Sequence, residues 1–116
     1  MKRLLVAFAL SLAGLGLVTG QTADAQTLSA AAYCDLTIER LSLAHDTWSR
    51  EGRSPTEGEL LPLWQRYGVT AAAYYRFATD NRAVVEGYLG THPDVAQEIQ
   101  RLAVAINAVI RQREPR

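Results

Sequence analysis

The sequence has one cysteine, one lysine and no stretch in which apolar and polar residues alternate, and each scarcity excludes a class of protein. Cys34 stands alone, so the chain cannot form an internal disulfide, and its fold must rest on apolar packing. The 12 basic residues are balanced by 12 acidic ones. The chain therefore lacks the basic surplus of a nucleic-acid-binding protein. The missing alternation excludes a sheet with one buried face.

The N-terminal segment, residues 1–25, has the pattern of an export signal. Lys2 and Arg3 precede an apolar run over residues 4–18, and Ala23-Asp24-Ala25 offers the small residues that signal peptidase reads. The run is shorter than the roughly 20 apolar residues that span a membrane. We therefore expect cleavage after Ala25 and a protein that is periplasmic or extracellular, with no membrane contact once the signal is removed.

Residues 26–116 show helical periodicity, and it is most regular near the C-terminus. Apolar residues recur there at steps of four, three, four and three, so they share one face of a helix: Val95, Ile99, Leu102, Ile106 and Val109. Start and stop residues delimit four predicted helices, at about 28–50, 55–67, 71–89 and 92–111. The sequence thus predicts a small all-α domain, four-helix and bundle-like, in which short connections favour antiparallel neighbours.

Local residue types predict where the helices begin and where one of them is weak. Ser54 is the predicted N-cap of the second helix, with Pro55 in its first position and Glu57 completing a capping box. Pro62 lies inside this helix, which predicts a kink or a break. Thr91 is the predicted cap of the last helix.

Three polar side chains lie on otherwise apolar helical stripes: Cys34, His45 and Asn81. The position of Cys34 predicts a small buried side chain, and that of Asn81 predicts a buried amide that needs a partner. Cys34 and His45 are about 16 Å apart along a helix, so they cannot bind one metal ion. The chain also lacks a Cys-x-x-Cys-His haem site and a Glu-x-x-His pair. No cofactor and no metal site are predicted.

The function favoured by these features is binding through protein–protein contacts. Four apolar residues are left outside the predicted stripes and are the candidate contacts with a protein partner or a second copy of the chain: Leu36, Leu43, Tyr75 and Leu89.

Two other functions stay open. One is a periplasmic carrier of a small ligand, haem or metal, with a polar pocket lined by His45, Asn81, Tyr74 and Tyr88. The other is an enzyme of unknown class. The sequence contains no nucleophile elbow and no glycine-rich phosphate loop, so no catalytic residue is proposed and an enzyme is the less favoured reading.

Overall fold

The computed structural model describes residues 28–114, and every regular element in that range is an α-helix. The five helices are α1 (Ala30–Glu51), α2 (Glu57–Tyr67), α3 (Ala71–Asp80), α4 (Arg82–Thr91) and α5 (Pro93–Arg113). The all-α prediction is confirmed for the described residues. The predicted signal segment lies outside them.

A capping box begins α2, two residues later than predicted. Thr56 Oγ1 accepts from the Glu59 N–H at 3.1 Å, and Glu59 Oε1 accepts from the Thr56 N–H at 2.9 Å. The prediction of Ser54 as the cap was wrong. Glu59, unlike Glu57, also binds Arg53, with both carboxylate oxygens 2.9 Å from the guanidinium nitrogens, and this second contact favours the later start.

Pro62 does not interrupt α2, so the predicted break is absent. Three residues of the helix on either side of it are buried and hold the helix against its neighbours: Leu60, Leu63 and Trp64. Gly68 then ends α2 with φ +68°, the left-handed conformation that the sequence predicts for this position.

Asn81 divides the predicted third helix into α3 and α4. Its backbone leaves the helical region, with φ −129° and ψ 37°. Both its N–H and its side-chain Nδ2 donate to the carbonyl oxygen of Phe77, at 2.8 and 3.0 Å. One continuous helix was the wrong prediction, because the amide side chain can bond to nearby backbone and so competes with the helical conformation.

The start of α5 also differs from the prediction. His92, rather than Thr91, occupies the N-cap position, and Pro93 is the first helical residue. The Thr91 hydroxyl bonds back to the carbonyls of Gly87 and Tyr88, at 3.3 and 3.1 Å. Thr91 therefore belongs to the last turn of α4 and cannot cap α5.

α1 is the central helix, and α5 packs along it more extensively than any other element. Their C-terminal ends lie together, since Arg113 Nη2 donates to the carbonyl of Ser49 at 2.9 Å. α4, which ends directly before α5 begins, packs on α1 as well, so the start of α5 also lies beside α1. The two helices therefore run parallel, whereas α2 returns antiparallel along α1, as its short connection predicts.

Two packing regions flank α1. The first, which we call the aromatic cluster, is formed by α1, α2 and α3 around Leu28, Leu36, Leu60, Leu63, Trp64 and Tyr74. Cys34, Val85 and Leu102 are buried outside this cluster, on the helices α1, α4 and α5. Leu36 is 0% exposed, so the expectation that it stays uncovered was wrong. The aromatic cluster covers the side of α1 opposite the Cys34 stripe.

Candidate functional site

Tyr74 lies at the centre of the aromatic cluster, and its ring is almost fully buried. The ring centroids of Tyr33, Trp64 and Tyr75 lie 5.0, 5.1 and 5.1 Å from its own. These separations fall within the favourable range for aromatic pairs. The cluster is therefore a closely packed platform rather than a cavity.

A chain of hydrogen bonds satisfies the Tyr74 hydroxyl. Thr37 Oγ1 donates to the carbonyl of Tyr33 at 2.8 Å, so Tyr74 donates to Thr37 Oγ1 in their shared bond of 2.7 Å. The same phenolic oxygen accepts from Arg40 Nε at 3.1 Å. This chain fixes the direction of the Arg40 side chain.

Arg40 is held between the polar and aromatic parts of the platform. Its guanidinium carbon lies 5.6 Å from the Tyr74 ring centroid and 5.9 Å from that of Tyr75, within cation–π range. None of the ion pairs formed by residues 28–114 includes Arg40. Its neighbour Glu39 instead accepts from Arg66 and, at 2.5 Å, from the Tyr67 hydroxyl. Desolvation and this bond to Glu39 raise the pKa of Tyr67 to about 12.

An apolar groove lies between α2 and α3, beside the aromatic cluster. Its volume is about 470 Å³, and it is lined by Glu57, Gly58, Leu61, Trp64, Gln65, Val69, Thr70 and Ala71. Leu61 and Tyr75 are each 48% exposed, and the Tyr75 ring contacts that of Trp64 edge to face at 5.8 Å. We call Leu61, Trp64, Tyr75 and the groove the α2–α3 surface.

Trp64 carries a polar atom that the packing leaves unsatisfied. Its indole N–H is buried and has no hydrogen-bond partner among the described residues. Leaving a buried donor unpaired costs about 1–3 kcal/mol. Trp64 is only 3% exposed, and the burial of the apolar part of its ring offsets that cost.

The four residues predicted to line a polar pocket lie in different places. Tyr74 belongs to the aromatic cluster, and Asn81 is partly buried at the joint between α3 and α4. Tyr88 stacks on His92, with ring centroids 3.9 Å apart, and His45 is partly buried in the second half of α1. No hydrogen bond or ring contact of the described residues joins any two of the four. The structure therefore gives no support to a shared pocket around His45 and Asn81.

The four predicted contact residues differ in exposure. Leu36 is buried, Leu43 is partly buried against the aromatic cluster, and Leu89 is partly buried as well. Only Tyr75 is exposed, and it lies on the α2–α3 surface. A role in partner contacts therefore stays a prediction for Tyr75. Leu36 could contact a partner only if the aromatic cluster opened.

Sequence reasoning missed Leu61 and Arg40 as surface features. Leu61 falls between the inward-facing Leu60 and Leu63, and this spacing could have identified it as the leucine pointing away from the core. Arg40 gave no such signal, because its stacking partners lie on α3, more than 30 residues along the chain.

Two further observations concern metals and membranes. No group of three or more His, Cys, Asp or Glu side chains between residues 28 and 114 is placed to hold a metal ion. None of the helices over the same residues combines the length and apolarity needed to cross a membrane.

Comparison of the chain with protein-family models, with curated proteins and with solved structures finds no match.

Proposed function

We propose that the protein is a small exported binding module whose α2–α3 surface receives an apolar side chain of a partner protein. The observation that carries this proposal is that two half-exposed apolar side chains lie at the apolar groove: Leu61 lines it, and Tyr75 contacts Trp64 of the same lining. Large apolar side chains that gather at one place on a soluble protein favour an interaction surface. The export component rests on the basic, apolar and Ala-x-Ala pattern of residues 1–25.

The composition of the α2–α3 surface supports the same function. Trp, Tyr and Arg are the residue types that dominate the energy of protein–protein contacts, and Trp64, Tyr75 and Arg40 are neighbours here. Trp64 and Tyr74 are buried, so the floor of the surface is rigid before any partner arrives. A preformed surface binds with a smaller entropic cost than a flexible one.

Site-specific photo-crosslinking in the producing cell tests this function. A photoreactive amino acid at position 61 or 75 is expected to capture the same protein, to be identified by mass spectrometry. Position 104 is the matched control, because Val104 is 55% exposed but lies on α5, away from the groove. Capture of the same protein from position 104 with equal yield, or capture of none from 61 and 75, would contradict the proposal.

The export component has a separate test. Mass spectrometry of the mature protein is expected to give an N-terminus at Gln26, because cleavage should follow Ala25. Recovery of the mature pool with Met1 intact would reject export by this signal, and the α2–α3 surface would be unaffected.

A further inference from the structure

Arg40 differs from Arg53 and Arg66 in that its side chain is held in place but forms no ion pair with the described residues. Arg53 binds Glu51 and Glu59, and Arg66 binds Glu39. Arg40 instead uses its Nε on the Tyr74 hydroxyl and places its guanidinium over two tyrosine rings. Its two Nη groups form no hydrogen bond with the described residues, so they retain their capacity to donate.

A fixed guanidinium with free Nη donors suits recognition of a carboxylate. Arginine binds carboxylates through paired N–H donors, and prior ordering of its side chain reduces the entropy lost on binding. Cation–π contacts with Tyr74 and Tyr75 also help to hold the guanidinium in place. These features suit an anion subsite, and no acidic side chain of residues 28–114 forms an ion pair with Arg40 there.

The subsite is adjacent to the groove. The ring of Tyr74 spans the gap, since its centroid lies 5.6 Å from the Arg40 guanidinium carbon and 5.1 Å from the Trp64 ring centroid. About three residues of extended chain cover such a gap. A partner segment can therefore place an apolar side chain in the groove and a carboxylate on Arg40 at the same time.

We propose that the α2–α3 surface recognises a partner polypeptide in which an acidic side chain follows an apolar one by about three residues, with the carboxylate bound by Arg40. This inference rests on the proposed function of the same surface. A side-chain carboxylate is the source we favour, because terminal carboxylates are characteristically captured by clusters of free backbone N–H groups, and Arg40 acts here through its side chain alone.

Glu57 determines how an acidic segment is oriented on the α2–α3 surface. It is an exposed carboxylate that lines the groove, and it forms no ion pair with the described residues. The pKa of Tyr75 is raised by desolvation, lowered by Arg40 and raised by Glu57, so both charges lie near that ring. An incoming carboxylate is attracted to Arg40 and repelled by Glu57, which fixes the direction of the bound segment.

Two synthetic peptides test the inference: acetyl-Leu-Leu-Ala-Ala-Glu-amide and the same peptide with Gln in place of Glu. Both lack terminal charges, so they differ only in the carboxylate. Binding is followed by the NMR signal of the Trp64 indole N–H. The indole N–H signal of Trp48, near the C-terminal end of α1, is the internal reference. The Glu peptide is expected to shift the Trp64 signal saturably and to bind about tenfold more tightly than the Gln peptide, the gain of one charge-assisted hydrogen bond.

Three variants locate the effect. Arg40→Gln is expected to make the two peptides bind equally, whereas Arg76→Gln, an exposed arginine on α3, should preserve their difference. Glu57→Gln should strengthen binding of the Glu peptide. Thermal unfolding shows whether each variant is folded, and the comparison of the two peptides on the unaltered protein does not depend on any variant.

The outcomes separate the two proposals. If both peptides shift Trp64 with equal affinity, the groove stands and the carboxylate subsite is overturned. If neither peptide shifts Trp64, the groove as a docking site is rejected, and the subsite falls with it. A preference for the Glu peptide that survives Arg40→Gln also overturns the role of Arg40.

Discussion

At the scale of single residues, two side chains that are adjacent in sequence can have very different surroundings. Tyr74 and Tyr75 follow one another on α3, yet one is 1% and the other 48% exposed. Tyr74 is held by neighbouring aromatic rings and by hydrogen bonds with Thr37 and Arg40, whereas about half of Tyr75 is exposed to solvent. One tyrosine therefore contributes to the stability of the fold, and the next is free to contribute to binding.

The Tyr74 hydroxyl gives the first prediction. Tyr74→Phe keeps the ring contacts but leaves Arg40 Nε without its acceptor and Thr37 without its donor. We expect the free energy of unfolding in urea to fall by about 1–2 kcal/mol. Tyr75→Phe is the control, and its hydroxyl removal should cost less than about 0.5 kcal/mol. Equal losses in the two variants would mean that the buried hydrogen bonds do not stabilise the cluster.

Leu102 gives the second prediction. Its side chain is 4% exposed on α5, whereas Val104, two residues later, is 55% exposed. Leu102→Ala should leave a cavity and lower the free energy of unfolding by about 2–5 kcal/mol. Val104→Ala should change it by no more than about 0.5 kcal/mol. Denaturant unfolding of both variants measures the difference, and a larger loss at Val104 would reverse the assigned face of α5.

At the scale of helices, the boundaries are set by contacts that reach beyond one turn. The capping box of α2 is extended by Arg53, which binds Glu59 and Glu51 together. Gly52 ends α1 at φ +72°, and an added Cβ there would lie 2.7 Å from Arg113 Nη1 of α5. The start of α2 is therefore stabilised by Arg53 in the loop before it, and the end of α1 packs against the end of α5.

Glu59 makes the stability of the α2 start depend on pH. Hydrogen bonds from Arg53 and then from the Thr56 backbone lower its pKa from 4.5 to about 2. A lowered pKa in the folded state means that the stabilisation is complete above pH 4.5 and is lost as the pH falls towards 2. Glu59→Gln should weaken the dependence of unfolding on pH over this window. Gln100→Ala, at an exposed neutral residue of α5, is the control and should leave this dependence unchanged. An unaltered slope in Glu59→Gln would exclude this carboxylate as the source.

Two glycines give opposite predictions for the same substitution. Gly87 lies inside α4, and a Cβ added there would meet no atom within 4 Å. Gly87→Ala should therefore raise the free energy of unfolding by about 0.5–1 kcal/mol, since alanine favours the helix. Gly52→Ala should lower it, because of the positive φ and the close Arg113 side chain. Thermal unfolding of both variants tests this, and stabilisation by Gly52→Ala would contradict the left-handed cap.

The sequence predicts the features that depend on neighbours within a turn or two. Cys34 is fully buried, as its place on the α1 stripe predicts, and Gly52 and Gly68 end their helices. The burial of Leu36 could not be predicted, because helical periodicity reveals one buried face of a helix, whereas α1 is covered by other helices on two faces. Tyr75 is exposed as expected, but the groove beside it depends on how α2 and α3 meet, which no local pattern contains.

At the scale of the whole molecule, the first and last helices form the most extensive contact, and they run in the same direction. The bond from Arg113 to the Ser49 carbonyl joins residues 64 positions apart. Contacts of such long sequence separation cost loop-closure entropy when they form, which slows folding. The aromatic cluster, by contrast, uses helices α1 to α3 and can form without α5.

The parallel pairing of α1 and α5 determines when, during synthesis, the protein can complete its fold. Synthesis proceeds from the N-terminus, so the contact that α5 makes along α1 cannot form until α5 has emerged from the ribosome. Until that moment the fold is incomplete, although the aromatic cluster of α1, α2 and α3 can already form. The contact between α1 and α5 is therefore the last part of the described fold that can form during synthesis.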